Sequence, residues 1–138
     1  MAEFKKSWAK TSHNEGGYAN DSRDAGKETF KGIARHFWPQ WEGWPIVDAA
    51  VEKLGLTGKT LDAGEHVWKL IDAELASNQE LDAAVQAFYK KNFFDPLNLD
   101  NEPEQLIADV AFDTAVNKGK EREKNWLNRA REEANEIV

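Results

Sequence analysis

Apolar residues recur along most of the chain at about 3.6-residue spacing, which is typical of α-helices and not of strands. This pattern predicts a first helix over residues 3–15. Gly16 and Gly17 follow it and end it, because glycine is the usual breaker at a helix C-terminus. The next residues, 18–28, are rich in turn formers and predict either a loop or a short irregular hairpin.

The later helices are predicted from the same period and from their end signals. Thr29 is predicted to cap a short helix that reaches Phe37, and Pro45 to open a helix that ends near Gly55. Further helices are predicted over 61–76, from the cap Asn78 through Tyr89, over 103–119 and from Lys120 to the C-terminus. With no convincing strand and no internal repeat, the pattern predicts a mainly α class.

The apolar faces of these helices define the expected core. In the helix over 61–76 the inward positions are predicted to be Val67, Leu70, Ile71 and Leu75. In the helix over 103–119 they are predicted to be Leu106, Val110, Ala111 and Thr114.

Composition supports one folded unit and excludes several classes of protein. Of 138 residues, 41% are hydrophobic, and six Trp and seven Phe supply large side chains for a core. Cysteine is absent, which excludes disulfides and thiolate zinc sites. The net charge of −7 argues against nucleic acid, because phosphate contacts need clustered cations. We expect a monomer.

Neither a membrane span nor a leader is expected. No apolar run approaches the roughly 18 residues that a transmembrane helix needs. The first residues, Met1 to Lys6, lack the apolar segment of a signal peptide. We therefore expect synthesis in the cytoplasm, and action outside it only after release or holin-type export.

Glu15 is the candidate general acid. It is predicted to lie on the apolar face of the first helix, at its C-terminal end. Partial burial and the negative end of the helix dipole both raise the pKa of a carboxyl group there. A carboxyl that stays protonated near neutral pH can act as a general acid. The alternative is an ordinary glutamate that frays into solvent beside two glycines.

Asp24 follows nine residues after Glu15, in a polar loop where a carboxylate should stay ionised. Two carboxyl groups in opposed environments are typical of glycoside hydrolysis. Thr29 could hold a water molecule or orient a carboxylate. The alternatives are a turn aspartate that bonds its own backbone, and a helix cap.

Two separated blocks of sequence carry a family resemblance. The first contains Glu-Gly-Gly-Tyr at 15–18, Asn-Asp at 20–21, Asp24, Gly26, Thr29 and Gly-Ile at 32–33. The second contains Phe-Asp-Pro-Leu-Asn-Leu at 94–99, Ala-Asp at 108–109 and Phe-Asp-Thr-Ala-Val-Asn-x-Gly at 112–119. Both resemble glycoside hydrolase family 108, which comprises bacterial and phage N-acetylmuramidases and secretion activators. The chain departs from the family pattern at two positions. Lys27 stands where the family has a second glycine, and Ser22 stands where it has a proline.

The resemblance implies a single compact lysozyme-like helical domain that acts on peptidoglycan glycan strands, like a phage endolysin. Glu15 takes the place of the family's catalytic glutamate. The arrangement of Glu15, Asp24 and Thr29 also resembles that of phage-type lysozymes, which implies catalytic roles for Asp24 and Thr29. Tyr18 and Asn117 are implied glycan contacts. Residues 1–95 are expected to form the catalytic part. Residues 96–138 are expected to form a shortened peptidoglycan-binding segment packed on it.

Two alternatives stay open at this point. The chain could be a catalytically weak relative that binds glycan or protein. Trp38, Trp41 and Trp44 could form core packing or a platform on which sugar rings stack. No cofactor is expected, and no metal site either, because the three histidines at 13, 36 and 66 are scattered.

Overall fold

The computed structural model describes residues 1–14 and 16–119, and it begins with a short amphipathic helix. Helix α1 spans Phe4–Thr11, and a 3₁₀ turn, Ser12–Asn14, extends it. Its buried face consists of Phe4, Ser7, Trp8 and Thr11. Glu15 and the helix predicted from Lys120 onward lie outside the described residues.

A small antiparallel sheet follows α1. Strands β1 (Tyr18–Asn20), β2 (Glu28–Phe30) and β3 (Ile33–Ala34) lie in that order, and Thr29 pairs with Ala19 and Ala34. The expected hairpin is therefore present, and β3 extends it.

The prediction of a helix from Thr29 to Phe37 is wrong, because this segment contains strands β2 and β3 and the tight turn that joins them. Lys31 and Gly32 both have positive φ values, 47° and 82°, as a two-residue hairpin turn requires. Tyr89 Oη donates a hydrogen bond to the Lys31 carbonyl and fixes the turn from outside the sheet.

Four α-helices follow the sheet in the described residues, and a π-helical turn, Lys90–Phe94, and two 3₁₀ turns, Asp95–Leu97 and Leu99–Asn101, connect the last two of them. The four helices are α2 (Trp44–Lys53), α3 (Glu65–Leu75), α4 (Gln79–Tyr89) and α5 (105–119). The start signals of α2 and α4 are those predicted: Pro45 lies in the first turn of α2, and Asn78 Oδ1 accepts a hydrogen bond from Leu81 N at 2.9 Å. Helices α3 and α5 begin later than predicted, at Glu65 and residue 105. The fold is mainly α, as expected for a lysozyme-like helical domain.

The core centres on aromatic side chains where α1 meets α5. Phe4 makes edge-on contacts with Phe94 and Phe112, with ring centroids 5.3 and 5.6 Å apart. Trp8 lies against Tyr89 at 4.9 Å. Aromatic pairs of this kind add about 0.5–1.5 kcal/mol beyond the area they bury.

Four residues predicted to point inward are exposed instead. Leu70, Leu106 and Val110 are 55%, 68% and 60% exposed, and Thr114 is exposed as well. The buried apolar face of α5 is formed by Ala108, Phe112 and Val116, which recur every four residues. Phe112 sets this orientation of α5 through its contacts with Phe4 and Phe94. The spacing of apolar residues along the sequence does not reveal such long-range contacts. None of the described helices combines the length and apolar character that a membrane span requires.

Beside the aromatic core, hydrogen bonds join α1 to α5 in a polar seam formed by Ser7, Lys10, Thr11, Gln105, Asp109 and Asp113. Asp109 accepts from Ser7 Oγ (2.6 Å), Lys10 Nζ (2.5 Å) and Gln105 Nε2 (2.8 Å). Thr11 Oγ1 donates to Asp113 Oδ1 at 3.1 Å. The seam fixes the last turn of α1, and so the point from which the chain continues toward residue 15.

Candidate active site

The residues that follow Glu15 are held from two sides. Gly16 and Gly17 are exposed, and Tyr18 begins β1. The Gly17 carbonyl accepts a hydrogen bond from Lys31 N at 3.2 Å, in the β2–β3 turn. Tyr18 N donates to Asp72 Oδ1 on α3 at 2.7 Å. The chain after the candidate acid is thus tied to both the sheet and α3.

A groove runs along α3 past these glycines. It consists of an outer cavity of about 520 Å³, a central cavity of about 410 Å³ and an inner cavity of about 330 Å³. The outer and central cavities share Glu65 and Trp68, and the central and inner cavities share Gly17 and Asp72. We call this row of cavities the α3 groove. An elongated concave surface of this kind suits a chain-like ligand.

Thr29 reaches the centre of the groove. It lies on the middle strand, β2, so that pairing with β1 and β3 holds its backbone from both sides. Its side chain is partly buried, and it lines the central cavity together with Gly16 and Gly17. The structure therefore brings Thr29 to the same cavity as the residues that follow Glu15.

Asp24 lies outside the groove, in the exposed β1–β2 loop. Its backbone is fixed by bonds from Asp24 N to Asp21 O (3.1 Å) and from Lys27 N to Asp24 O (3.2 Å). Asp21, in contrast, lines the outer cavity. Hydrogen bonds from the Arg23 side chain and backbone lower the pKa of Asp21 to about 2. Asp21 is thus the ionised carboxylate that this loop presents to the groove.

Tyr18 lines the central cavity, but its side chain is buried and hydrogen-bonded within the protein. It is 3% exposed, and its hydroxyl donates to Glu28 Oε2 at 2.6 Å and lies 2.9 Å from Thr60 Oγ1. Burial, followed by the bond to Glu28, raises the pKa of Tyr18. Arg35 Nη1 donates to the other oxygen of Glu28. This arrangement makes the Tyr18 hydroxyl part of the sheet's support.

Asp72 is a groove residue that the sequence did not reveal. It is partly buried and lines both the central and the inner cavity. Burial raises the pKa of Asp72, and the Tyr18 N–H and the charge of Lys31 only partly oppose this shift. The only local signal was an acidic residue next to buried Ile71, which does not say what the residue faces.

Comparison with known families decides the kind of enzyme to which this groove belongs. The sequence model described as Glycosyl hydrolase 108 matches residues 8–119 of the 138-residue chain. The chain belongs to glycosyl hydrolase family 108. No curated protein and no solved structure matches it.

Family 108 membership confirms the expected chemistry at the level of the family. The chain is a glycoside hydrolase of a family that degrades peptidoglycan. The matched range contains Glu15, the whole sheet and α2 to α5. The α3 groove therefore lies wholly within the family 108 region.

Asn117, the second implied glycan contact of this family 108 chain, lies apart from the groove. It is exposed on α5, and its Nδ2 donates to Asp113 Oδ2 at 3.3 Å. Asp113 in turn accepts from Thr11, in the last turn of α1. The structure therefore places Asn117 beside the polar seam, on the helix pair that leads toward Glu15.

The three tryptophans at 38, 41 and 44 were expected to form either core packing or a platform for sugar rings, and they differ in burial. Trp41 and Trp44 are 9% and 1% exposed, and their indole N–H groups bond to backbone carbonyls, so both are core residues. Trp38 is partly buried and packs edge-on against Phe88 at 4.9 Å. It also lines a separate cavity of about 480 Å³, together with Phe37. Within residues 1–14 and 16–119, no three histidine or acidic side chains are grouped to hold a metal ion.

Proposed function

We propose that this family 108 chain is a muramidase that hydrolyses the β-1,4 bond between N-acetylmuramic acid and N-acetylglucosamine, with Glu15 as general acid. The observation that carries the proposal is the position of the α3 groove. Its central cavity is lined by Gly16 and Gly17, which directly follow Glu15, and by Thr29 from β2. The cavities on either side give a glycan strand room to extend in both directions.

In this mechanism Glu15 donates its proton to the glycosidic oxygen as the bond from that oxygen to the anomeric carbon breaks. The sugar left behind develops oxocarbenium character, which a nearby carboxylate stabilises. A water oxygen then bonds to the anomeric carbon, and a carboxylate takes up the released proton. General acid catalysis of this kind contributes about 10²–10⁴ in rate.

Thr29 is proposed to place the water molecule, and a carboxylate of the β1–β2 loop is proposed to stabilise the developing positive charge, although the structure places Asp24 outside the groove. The Thr29 hydroxyl lines the central cavity, where it can hold a water molecule. Asp24 remains the sequence-based candidate for the second carboxylate, in the loop whose residues Asp21 and Arg23 line the outer cavity. Five carboxylates and three cations line the groove, so its net charge is negative. The cations, Arg23, Lys31 and Lys69, are the groups that could pair with carboxylates of a bound strand.

The experiment is an analysis of the new reducing ends released from purified peptidoglycan. A muramidase leaves N-acetylmuramic acid at each new reducing end, and mass spectrometry after borohydride reduction identifies it. Glu15→Gln is the matched control, because glutamine keeps the shape of glutamate but cannot deliver the proton.

Three results would contradict the proposal. Reducing ends of N-acetylglucosamine would show that the other bond of the glycan is cut. Products from chitin oligosaccharides alone would assign a different substrate. Binding of peptidoglycan without release of fragments would favour a catalytically weak glycan-binding module.

A further inference from the structure

The carboxylate of Asp72 and the backbone of residues 17–18 form one of the closest contacts of the groove. Tyr18 N–H donates to Asp72 Oδ1 at 2.7 Å, across 54 residues of sequence. A bond of this length is short for an N–H donor and an oxygen acceptor, so the carboxyl oxygen holds the backbone closely. Tyr18 is the first residue of the edge strand β1, which has a neighbouring strand on one side only. Asp72 on α3 therefore supplies the acceptor for an N–H at the edge of the sheet.

Gly17 shows how closely the helix and the chain approach each other. A Cβ at position 17 would lie 2.3 Å from Asp72 Oδ1 and 2.4 Å from Oδ2. Any side chain there would displace the carboxylate. Gly16, one residue earlier, would place no described atom within 4 Å of a Cβ. The second glycine of the pair is therefore required by Asp72, whereas no described contact requires the first.

The same stretch of backbone is held from the opposite side by the β2–β3 turn. Lys31 N donates to the Gly17 carbonyl at 3.2 Å, and Tyr89 fixes the turn through the Lys31 carbonyl. Residues 17 and 18 are thus bonded to α3 through Asp72 and to the sheet through Lys31. Of these two attachments, only the one through Asp72 depends on a side chain.

Glu15 is only two residues before this clamped point. Two trans peptide units span at most about 7.6 Å, so the position of Gly17 limits where Glu15 can lie. Catalysis by a general acid depends on its placement, and an error of about 1 Å can cost about 10²-fold in rate. A side chain that fixes Gly17 and Tyr18 therefore acts on the acid through the backbone.

We propose that Asp72 is a positioning residue for Glu15. Its carboxylate anchors the start of β1 to α3 and thereby fixes the backbone two residues after the acid. This inference rests on the proposed muramidase function. What it adds is a requirement for a hydrogen-bond acceptor at position 72, with no requirement for negative charge.

The test compares Asp72→Ala, Asp72→Ser and Asp72→Asn on purified peptidoglycan. Asparagine keeps the acceptor oxygen at the same reach, whereas serine is too short and alanine has none. We expect the Ala and Ser variants to lose about 10²-fold in kcat with little change in KM, and the Asn variant to stay within a few-fold of wild type. Glu52→Ala, at an exposed carboxylate of α2, is the matched control and should leave kcat unchanged.

Amide hydrogen exchange at Tyr18, followed by NMR, gives a second readout that does not depend on activity. Exchange should be faster in the Ala and Ser variants and protected in the Asn variant. If the Asn variant loses as much kcat as the Ala variant, the charge of Asp72 is required and the positioning role is wrong. Full activity in the Ala variant would overturn it equally. A wild-type protein that binds peptidoglycan without cutting it, with the expected exchange pattern, would contradict the muramidase function and leave the Asp72 contact demonstrated.

Discussion

Two aspartates packed against the start of the chain, Asp109 and Asp72, differ sharply in how their charges are satisfied. Asp109 is 5% exposed and accepts hydrogen bonds from Ser7, Lys10 and Gln105. Desolvation by itself raises the pKa of Asp109, but these three bonds and the charge of Lys10 outweigh it, so the pKa is lowered. Asp72 has one backbone donor, the Tyr18 N–H. This bond and the charge of Lys31 do not offset the effect of burial, so the pKa of Asp72 is raised.

This difference in hydrogen bonding and pKa distinguishes a carboxylate that stabilises the fold from one that lies in a candidate functional site. In the polar seam Asp109 has three side-chain donors, as buried polar groups in stable folds usually have partners. In the α3 groove a partly buried carboxyl has one donor and faces two cavities. Groups whose pKa is shifted by burial in a cleft are typical of functional sites.

The largest expected effect is the loss of the seam. Asp109→Ala removes the acceptor of Ser7, which is fully buried, so an unsatisfied hydroxyl remains. The Lys10 side chain is 62% exposed, so its ion pair contributes little. Gln105 Nε2 loses the same acceptor, so we expect the free energy of unfolding to fall by about 2–4 kcal/mol in urea titrations. A loss no larger than that of Glu52→Ala would show that the seam does not stabilise the fold.

A second prediction tests the groove side through its two glycines. Gly17→Ala forces Asp72 away from Tyr18 N–H and should lower the free energy of unfolding by about 1–3 kcal/mol. Gly16→Ala, which meets nothing, should be neutral or stabilise by about 0.4–1 kcal/mol. Thermal and urea unfolding of the pair provide the measurement. Equal effects at both positions would mean that the contact between position 17 and Asp72 is not formed in solution.

The smallest effects are those of pH, and they should have opposite signs at the two aspartates. The lowered pKa of Asp109 adds stability above its unfolded value of about 3.9, and this is lost as pH falls through the folded pKa. The raised pKa of Asp72 gives a contribution that is full below about 3.9 and is lost as pH rises through the folded pKa.

Free energies of unfolding measured between about pH 3 and about pH 7 can resolve these signs. Asp109→Asn should flatten the acid side of the wild-type profile. Asp72→Asn should become more stable relative to wild type as pH rises. If both variants changed the profile in the same direction, the contrast between seam and groove would be wrong.

Much of the fold was predictable because its signals are local. Pro45 and Asn78 mark the starts of α2 and α4, and the structure uses both as the sequence indicates. The β2–β3 turn was not predictable, since it places Lys31 in a left-handed conformation that is rare for a residue with a side chain. The β1–β2 loop does the same with Lys27, at φ 56°, where the family pattern has glycine.

The motif predicted only part of the groove, since Thr29 lines it whereas Asp24 and Asn117 lie outside it. Thr29 was singled out by its place in the family motif, although its local structure is a strand and not the predicted helix cap. Asp72 and its partner Tyr18 are 54 residues apart, so no local pattern connects them. The exposed positions of Leu106 and Val110 follow from the way Phe112 packs, which is likewise a long-range effect.

The most direct test of the central claim is the turnover of Glu15→Gln on purified peptidoglycan, measured together with its melting temperature and its binding of glycan. The account predicts a loss of about 10²–10⁴ in rate, an unchanged or raised melting temperature, and retained binding, because only the transferable proton has been removed. If the Gln variant kept most of the wild-type turnover, Glu15 would not be the acid, and the mechanism proposed for this family 108 chain would be wrong.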